Sequence, residues 1–436
     1  MPQIEAFKGT YYNPEFIDNM ASVTAPPYDV ISGPGKSKLL AESPYNVIRL
    51  ILGKSAQEMG GSRPQSEFQE AASTFNQWLS EKVLINDPEP ALYDLEEEFE
   101  AVGKRYCRRG FIGLLKLDSK KNAVRPHEKT MSAPKEDRLE LTRHCRANFS
   151  QIFTLYEDQE NTVEEALAQA RRPETMLTFT EDGITRRLWR ITDAKAIAAA
   201  KTHLNDREIF IADGHHRYET ALLYQQEKKT AAPDAGENQP WNYVMSYFSS
   251  MSDPGLAILP THRLLSNFTT PDPTELENRL AAYFTIEKCV ADDNRVPELL
   301  NQLEKSGDNS SFIFIACNIA EPLLLTLKKD AAAEILDKLP TSLAALDVSV
   351  LQQLVFCHIL NISSADMEQQ RYTRYTQDAA TAIDAVRTGE AQIAVLLKST
   401  KIEQVREVAL QGEKMPQKST FFYPKLATGL LINRLD

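Results

Sequence analysis

The chain has 436 residues, of which 42% are hydrophobic, and a formal net charge of −12 at pH 7. This length suits two or three domains, and the apolar fraction argues against a globally disordered chain. The negative charge argues against a general nucleic-acid-binding protein, because affinity for the phosphate backbone requires clustered Lys and Arg side chains.

The five cysteines are scattered along the chain and never form a Cys-x-x-Cys pair. This pattern fits buried thiols in a reducing compartment better than disulfides or a zinc site. The first residues contain no apolar signal core, and no stretch approaches the roughly 18 uninterrupted apolar residues of a membrane span. We therefore expect a soluble cytoplasmic protein.

In the N-terminal third, residues 25–32 contain two consecutive prolines, which exclude a helix and predict a rigid, extended segment. Tyr28 and Asp29 follow the prolines directly. Asp29 either caps the next helix or offers its carboxylate to a ligand, and both interpretations stay open. The apolar residues 47–52 predict a strand.

A charged hairpin is expected next. Residues 92–101 carry four glutamates, residues 104–109 carry four basic side chains, and Val102-Gly103 forms the turn between them. Opposed acidic and basic strands suit cross-strand pairing. We interpret this run of charges as a solvated face of a sheet.

The most informative stretch lies in the middle of the chain. Residues 209–212 predict a short buried strand, Asp213-Gly214 a turn, and Tyr218 begins a segment with helical spacing. Between them stand His215, His216 and Arg217. A strand end followed by a helix start brings backbone N–H groups and the positive end of a helix dipole to one place, which suits an anion. An Asp-Gly turn with solvated histidines is the alternative, and we favour a ligand site.

Other polar segments provide further candidates for phosphate contacts. Residues 120–146 carry more basic than acidic side chains, which indicates either a salt-bridged helix surface or a positive field for a phosphate-bearing ligand. His262 and Arg263 lie at a predicted strand end, where a structural His-Arg pair is equally compatible with the sequence. Lys418, Ser419 and Thr420 lack the Gly-x-x-x-x-Gly-Lys spacing of a phosphate loop. They form either a phosphate contact or a polar turn.

The box of residues 213–217, Asp-Gly-His-His-Arg, resembles that of the ParB/sulfiredoxin-like superfamily and especially that of the ADP-dependent free serine kinases. The whole chain is identified as a member of the domain-of-unknown-function family 1015. The stretches that carry the resemblance are residues 25–32, 44–50, 125–130, 213–222, 261–263 and 415–425.

The resemblance implies an α+β fold. A ParB/sulfiredoxin-like core would cover residues 119–270, with an insertion near 157–205. An N-terminal α+β domain would cover residues 1–118, and a C-terminal α+β domain residues 271–436. The insertion would account for the 85 positions between Glu128 and Asp213, a separation larger than in the compact kinase domain.

The implied activity is transfer of phosphate from a nucleotide, ADP or ATP, to a small hydroxyl metabolite such as serine. Such a site needs positive donors around the phosphates and a carboxylate near the acceptor hydroxyl. Mg²⁺ would bind together with the nucleotide. The alternatives are a nucleotide-binding switch of the ParB type, which binds CTP without turnover, and a phosphodiesterase or nuclease, which the acidic net charge disfavours.

The residues implied in these roles fall into three groups. The catalytic candidates are Glu128, Asp213, His215 and His216. The candidates for phosphate or nucleotide binding are Gly214, Arg217, His127, Lys129, Arg138, Lys418, Ser419 and Thr420. The candidates for binding the acceptor substrate are Tyr28, Asp29, His262 and Arg263.

Overall fold

The computed structural model describes residues 3–54, 63–117, 123–128, 132–205, 207–289, 296–307 and 309–436. The chain forms two compact units, and both contain helices and a sheet, which confirms the predicted α+β class. Unit 1 comprises Met1–Pro126, Thr130–Ala257 and Pro424–Asp436, and unit 2 comprises His127–Lys129 and Ile258–Tyr423. The division at residues 118 and 270 stays a prediction, and the limits of the two units lie at other positions.

Unit 1 is built on a large, mostly antiparallel sheet. Its main strands, in spatial order, are Val124–Arg125, Ile209–Asp213, Ile152–Tyr156, Tyr243–Ser250, Lys104–Lys116, Leu92–Ala101, Ile184–Ile191 and Leu177–Glu181, and Ile4–Glu5 also pairs with Lys104–Lys116. We call Ile209–Asp213 the motif strand. It runs parallel to Val124–Arg125 and antiparallel to Ile152–Tyr156, so that it has a strand on each side.

The helices of unit 1 pack on one another, and some of them pack on the sheet. They are Gly33–Glu42, Ile48–Ile51, Gln65–Ser80, Ser132–Cys145, Thr162–Gln169, Ala194–Asn205 and His215–Ala231. We call His215–Ala231 the motif helix. It buries Tyr218 and Ala221 in the same core as Ile209 and Ile211 of the motif strand, because a period of 3.6 residues brings them to one face. None of the described helices is both long and apolar enough to cross a membrane.

The predicted hairpin is confirmed, and the predicted solvated face accounts for only part of its charged residues. Leu92–Ala101 pairs with Lys104–Lys116 around Val102 and Gly103, which both have positive φ angles as a tight hairpin turn requires. Glu97 and Arg108 face each other and are fully buried, and Arg186 of the next strand donates to Glu97 at 3.0 Å. Glu97 and Arg108 therefore pair inside unit 1, whereas the other face of the hairpin carries exposed charges at Glu100, Arg105 and Arg109.

Two further local predictions need correction. Residues 47–52 were predicted as a strand, but Ile48–Ile51 is helical. The Asn46 side chain accepts the N–H of Ile48 at 2.9 Å, which starts a turn that a short apolar run does not reveal by periodicity. Tyr28–Val30 likewise forms a single 3₁₀ turn immediately after the prolines, where an extended segment was predicted.

The last segment of unit 1, residues 424–436, pairs with distant parts of the chain. Asn433–Arg434 pairs with Ala147–Asn148, and Thr428 forms a bridge with Ala25. Ile432 forms another bridge with Thr10. These contacts complete unit 1 with residues from both ends of the sequence.

Unit 2 contains a six-stranded antiparallel sheet. Its strands, in spatial order, are Phe284–Lys288, Leu323–Leu327, Ser311–Ala316, Ile393–Leu396, His262–Leu265 and Thr373–Thr376. Two short strands lie outside it, Ala257–Leu259 at the limit of the two units and Phe421–Tyr423. The helices are Pro273–Tyr283, Val296–Lys305, Lys329–Leu336, Thr341–Ala344, Asp347–Val350, a π-helical Leu351–Ile359, Ser364–Glu368, Ala379–Arg387 and Ile402–Leu410.

Candidate functional site

The junction of the motif strand and the motif helix has the geometry that the sequence predicts. Gly214 lies between them with a φ of +90° and precedes the first helical residue, His215. A Cβ atom at position 214 would lie 2.9 Å from Arg217 Nη2. Position 214 therefore requires glycine for two reasons, the left-handed backbone conformation and the close approach of the Arg217 side chain.

The carboxylate of Asp213 lies between two cations. Arg217 Nη2 donates to Oδ2 at 2.9 Å, and Lys425 Nζ donates to Oδ1 at 2.6 Å. Arg217 also donates to Ser150 Oγ at 3.1 Å and to the carbonyl of Gln151. We call these five residues the Asp213 cluster. Its two cations outnumber its one carboxylate, which leaves a positive charge at the start of the motif helix.

A cleft in unit 1 brings Arg217 together with two other predicted residues. Tyr28, Arg138 and Arg217 line a partly open cleft of about 60 Å³. The Arg138 guanidinium lies 4.3 Å from the centroid of the Tyr28 ring, and its Nη2 donates to the Ile51 carbonyl at 2.7 Å. The lining that the structure describes contains two guanidinium groups and no carboxylate, so the cleft suits an anion.

The ionisation of Tyr28 reflects this environment. Burial, and after it the charge of Asp29, raises the pKa of the Tyr28 phenol to about 12. The charges of Arg138 and Arg217 act in the opposite direction. The Tyr28 hydroxyl is therefore protonated near neutral pH and can donate a hydrogen bond to a ligand in the cleft.

The rest of the cleft is mainly aromatic and aliphatic, with some Thr, Ser and Asn side chains. Phe149, Tyr224, Trp241 and Tyr243 contribute rings. The remaining lining residues are Ile51, Leu141, Thr142, Ala147, Asn148, Ser150, Thr220, Ala221, Val244, Thr428 and Leu435. The cleft therefore has a cationic end at the two arginines and a large aromatic surface.

A second group of predicted residues assembles in unit 2. Met415 N donates to the His127 carbonyl at 2.8 Å, and Lys418 N donates to Glu128 Oε1 at 3.0 Å. His127 Nε2 and Thr420 Oγ1 lie 3.2 Å apart. Lys418 has a φ of +56°, a left-handed conformation that aims its N–H at the carboxylate.

Arg263 joins this group and is buried. Its Nη2 donates to the Lys418 carbonyl at 3.2 Å, and its guanidinium lies 5.4 Å from the centroid of the Tyr375 ring. Burial lowers the pKa of Arg263 to about 10, whereas the charges of Tyr375 and Glu128 act to raise it. We call His127, Glu128, Arg263, Lys418 and Thr420 the Glu128 cluster.

His262 lies beside Arg263 in the strand His262–Leu265. Its Nδ1 accepts the N–H of Leu397 at 3.2 Å. Burial, and after it the charge of Arg263, lowers the pKa of His262 to about 4. His262 is therefore neutral at physiological pH, with the geometry of a structural residue.

The other predicted residues have simpler surroundings. His215 is buried at the start of the motif helix, and the His216 carbonyl accepts the Thr220 hydroxyl at 2.7 Å. Neither histidine is among the described residues that line the cleft, and Asp29 is not among them either. The Ser419 hydroxyl donates to the Pro416 carbonyl at 2.6 Å. Lys129 lies outside the described residues.

The sequence analysis missed several residues that the structure adds to the site. Lys425 pairs with Asp213 from 212 positions away, and Ser150 contacts Arg217. Tyr224 and Trp241 line the cleft, although their helical and loop positions carried no such signal. Lys425 alone had a signal, since it ends the stretch of residues 415–425 that supports the family resemblance.

The residues around Asp213 do not form a cation site. Both carboxylate oxygens of Asp213 already pair with cations, and the described lining of the cleft offers no second carboxylate. Mg²⁺ prefers several oxygen ligands in octahedral geometry, commonly with substrate phosphates. The residues around Asp213 therefore do not provide enough oxygen ligands to bind Mg²⁺ without the phosphates of a substrate.

Among solved structures, the chain is similar to a free serine kinase variant in complex with AMP, at 11% identity and a TM-score of 0.36, over 72% of this chain and 88% of that one. It is also similar to a conserved hypothetical protein from Pyrococcus furiosus, at 14% identity and a TM-score of 0.35, over 72% and 91% of the two chains. A C-terminally truncated SbnI from Staphylococcus aureus matches at 8% identity and a TM-score of 0.35, over 73% and 86%.

No curated protein sequence matches the chain. The family model described as "Protein of unknown function (DUF1015)" matches residues 4–349, which is more than three quarters of the chain. The match agrees with the family that the sequence stretches indicated. The chain therefore belongs to the DUF1015 family.

Proposed function

We propose that the cleft of unit 1 binds the phosphates of a nucleotide, and that the protein transfers a phosphoryl group to a small hydroxyl compound such as serine. The observation that carries the proposal is the convergence of Arg138 and Arg217 on one cleft. The two arginines come from different helices, and Tyr28 lines the same cleft.

The physical argument rests on charge and on shape. Guanidinium groups bind phosphate oxygens in pairs, with charge-assisted hydrogen bonds. Arg217 also stands in the first turn of a 17-residue helix, where the helix dipole favours an anion. The cleft encloses about 60 Å³, below the roughly 300–1,000 Å³ of typical small-molecule sites, so it suits a phosphate group and not a whole nucleotide.

Glu128 supplies the general base in this proposal. Within unit 2, the Glu128 carboxylate accepts a hydrogen bond from Lys418 N and interacts with the charge of Arg263. These two neighbours determine the orientation of the carboxylate. A carboxylate that accepts the proton of the acceptor hydroxyl contributes typically 10²–10⁴-fold to a rate. The motive for this role is the resemblance of residues 125–130 to the box of the free serine kinases.

We propose that Mg²⁺ enters with the nucleotide, bound mainly to its phosphates. This agrees with the pairing of Asp213 with Arg217 and Lys425, which leaves the carboxylate engaged by cations from the protein. A chelator should then weaken nucleotide binding without changing the thermal stability of the ligand-free protein.

The test of the proposal is transfer of label from nucleotide to acceptor. The purified protein is incubated with serine, Mg²⁺ and either ADP labelled in its β-phosphate or ATP labelled in its γ-phosphate, and the products are separated by chromatography. We expect labelled phosphoserine that depends on both substrates. Binding of nucleotide in calorimetry without any labelled acceptor, over a panel of small hydroxyl compounds, would contradict the transferase.

One observation favours a second candidate, a nucleotide-binding switch without turnover. The described lining of the cleft contains cations and aromatic rings but no carboxylate. Such a lining is sufficient to bind a nucleotide, but it offers no carboxylate that could act as a general base. In this case nucleotide should bind with unchanged affinity when Glu128 is replaced by Gln, and no acceptor should become labelled.

A further inference from the structure

The inference begins with Arg63 of unit 1, which is buried without using all of its hydrogen-bond donors. Its side chain is 1% exposed, and its Nη1 donates to the Ile51 carbonyl at 3.3 Å. Its Nε and Nη2 are buried and have no hydrogen-bond partner among the residues that the structure describes. Buried charged groups in proteins are normally paired and hydrogen-bonded, because their desolvation is costly. Arg63 therefore retains donors for an acceptor that comes closer.

One carboxylate, that of Asp137, lies between Arg63 and Arg138. Arg138 Nε donates to Asp137 Oδ2 at 2.9 Å, and Arg138 Nη2 donates to the same oxygen. The other oxygen, Oδ1, lies 3.9 Å from Arg63 Nε, which is an ion pair but is too long for a hydrogen bond. The Asp137 side chain is 19% exposed, more than either guanidinium, and so has the most room to move. Asp137 is thus bound to one arginine and lies close to another.

The Ile51 carbonyl brings the two guanidinium groups together at the edge of the cleft. It accepts Arg138 Nη2 at 2.7 Å as well as Arg63 Nη1, and Ile51 and Arg138 both line the cleft. Burial and, after it, the charge of Arg138 lower the pKa of Arg63, whereas the charges of Asp137 and Glu67 raise it. Two like charges at one carbonyl repel each other, so an added anion beside them is favourable.

The present contacts of Arg138 interfere with a strong phosphate contact. A guanidinium binds phosphate best through two parallel N–H groups on neighbouring nitrogens, and both edges that offer such a pair include Nη2. Arg138 Nη2 already donates to Asp137 and to the Ile51 carbonyl. The carbonyl belongs to the backbone, whereas the Asp137 side chain can turn. A phosphate that binds in this way therefore displaces Asp137.

We propose that Asp137 is an internal competitor for Arg138, and that Arg63 takes up this carboxylate when a phosphate binds. Without ligand, Asp137 pairs with Arg138. With phosphate in the cleft, the carboxylate moves about 1 Å towards Arg63 and hydrogen-bonds to its Nε and Nη2. This rests on the proposed function, in which Arg138 and Arg217 bind phosphate. Arg63 is then a positioning residue that acts through Asp137 without touching the ligand.

The first measurement is the affinity for inorganic phosphate and for pyrophosphate, determined by calorimetry. Asp137→Asn keeps the shape of the side chain and removes the competing charge, so binding should tighten about two- to fivefold, the range of one partly exposed ion pair. Glu140→Gln is the matched control, because it removes the same charge from the same helix. Glu140 pairs with Arg143, which is not among the described residues of the cleft, so both affinities should stay unchanged.

The second measurement tests Arg63 with and without the charge of Asp137. Arg63→Lys keeps the positive charge but cannot offer two parallel N–H groups to a carboxylate. It should weaken both ligands about two- to fivefold in the otherwise wild-type protein. In the Asp137→Asn background it should have no effect, because no displaced carboxylate then needs a partner. A purely structural role of Arg63 would weaken binding equally in both backgrounds.

The outcomes separate this exchange from the phosphate site itself. Equal effects of Arg63→Lys in both backgrounds, or equal tightening in Asp137→Asn and Glu140→Gln, would overturn the exchange and leave the phosphate site standing. A crystal structure with bound phosphate should show Asp137 within hydrogen-bond distance of Arg63 Nε. An Asp137 that still pairs with Arg138 there would also overturn the exchange. Absence of binding of both ligands to the wild type would overturn the phosphate site, and the exchange with it.

Discussion

The Asp213 cluster and the Glu128 cluster hold their charged groups in different ways. In the Asp213 cluster, side chains pair with side chains, and Arg217 and Lys425 share one carboxylate. In the Glu128 cluster, side chains pair mainly with the backbone, as Glu128 does with Lys418 N and Arg263 with the Lys418 carbonyl. The first cluster also adjoins a cleft through Arg217, whereas Arg263 of the second is buried.

This difference indicates which cluster can rearrange around a ligand. A phosphate can replace a carboxylate as the partner of Arg217, because both are anions with several acceptor oxygens. Hydrogen bonds from the backbone fix the direction of a carboxylate, because they move only with the chain. We therefore expect the Asp213 cluster to exchange partners on ligand binding more readily than the Glu128 cluster.

The largest expected effect is that of Glu128→Gln on turnover. Gln still offers an acceptor oxygen to Lys418 N but cannot take a proton, so transfer should fall about 10²-fold or more. Nucleotide affinity, measured by calorimetry, should stay near that of the wild type. Glu403→Gln, at an exposed position in unit 2, is the matched control. Full turnover in Glu128→Gln would remove the kinase-like mechanism.

The second prediction concerns the pH dependence of stability through His262. The folded-state pKa of about 4 lies below the ordinary 6.5, so the unfolded chain binds the proton first as the pH falls. The stabilisation present above pH 6.5 should therefore diminish towards pH 4, by about 2 kcal/mol between pH 7.5 and 5. Arg263 lowers this pKa together with burial, and Asp378 raises it.

His262→Asn tests this assignment, because Asn Oδ1 can accept the Leu397 N–H in place of Nδ1. Denaturant unfolding at several pH values should show a smaller loss of stability in the variant between pH 7.5 and 5. Parallel curves for the two proteins would assign the acid sensitivity to other groups.

The third prediction is that Arg217→Ala weakens nucleotide binding more than tenfold, or about 1.4 kcal/mol for a charge-assisted contact. Circular dichroism should confirm that the variant is folded, since Arg217 also supports Asp213 and the Gln151 carbonyl. Arg143→Ala is the control, because Arg143 pairs with Glu140 and Glu227 and is not among the described residues of the cleft. Equal affinities in the two variants would exclude Arg217 from the phosphate site.

The smallest expected effect is that of Lys425→Met. Lys425 pairs with Asp213 but is not among the described residues that line the cleft. Its loss should lower the free energy of unfolding by up to about 1 kcal/mol, as for other partly exposed ion pairs. Lys229→Met, at an exposed position of the motif helix, should have no such effect in urea unfolding. A loss of affinity larger than that of Arg217→Ala would place Lys425 in direct contact with the ligand.

The sequence predicted the elements whose signals are local. The motif strand and the motif helix were predicted because the spacing of apolar residues changes from that of a strand to that of a helix between Ile209 and Ala221, with a glycine at the junction. The predicted strand at residues 47–52 failed because the Asn46 side chain, and not the apolar run, determines the local backbone. The buried pairing of Glu97 required Arg186, which comes from a strand 89 positions away and has no local signal.

The residues of the candidate site were predicted from the sequence or missed for the same reason. Arg217 and Gly214 were identified because their neighbours in sequence are also their neighbours in space. Tyr224 was missed because a tyrosine on the buried face of a helix has the same pattern whether it fills a core or the wall of a cleft. The ion pair of Asp213 and Lys425 joins positions 212 residues apart, which no spacing rule describes.

The contribution of residues 424–436 to unit 1 has a consequence for the order of folding. On the ribosome, residues 258–423 emerge before this segment, so the sheet of unit 2 can form while the Asn433–Arg434 strand is still unsynthesised. Unit 1 can close only later, by contacts such as that between Asn433 and Asn148, which are 285 positions apart. Since contacts of such separation slow folding and leave intermediates exposed, we expect the maturation of unit 1 to limit the rate at which newly made chains become competent to bind ligand.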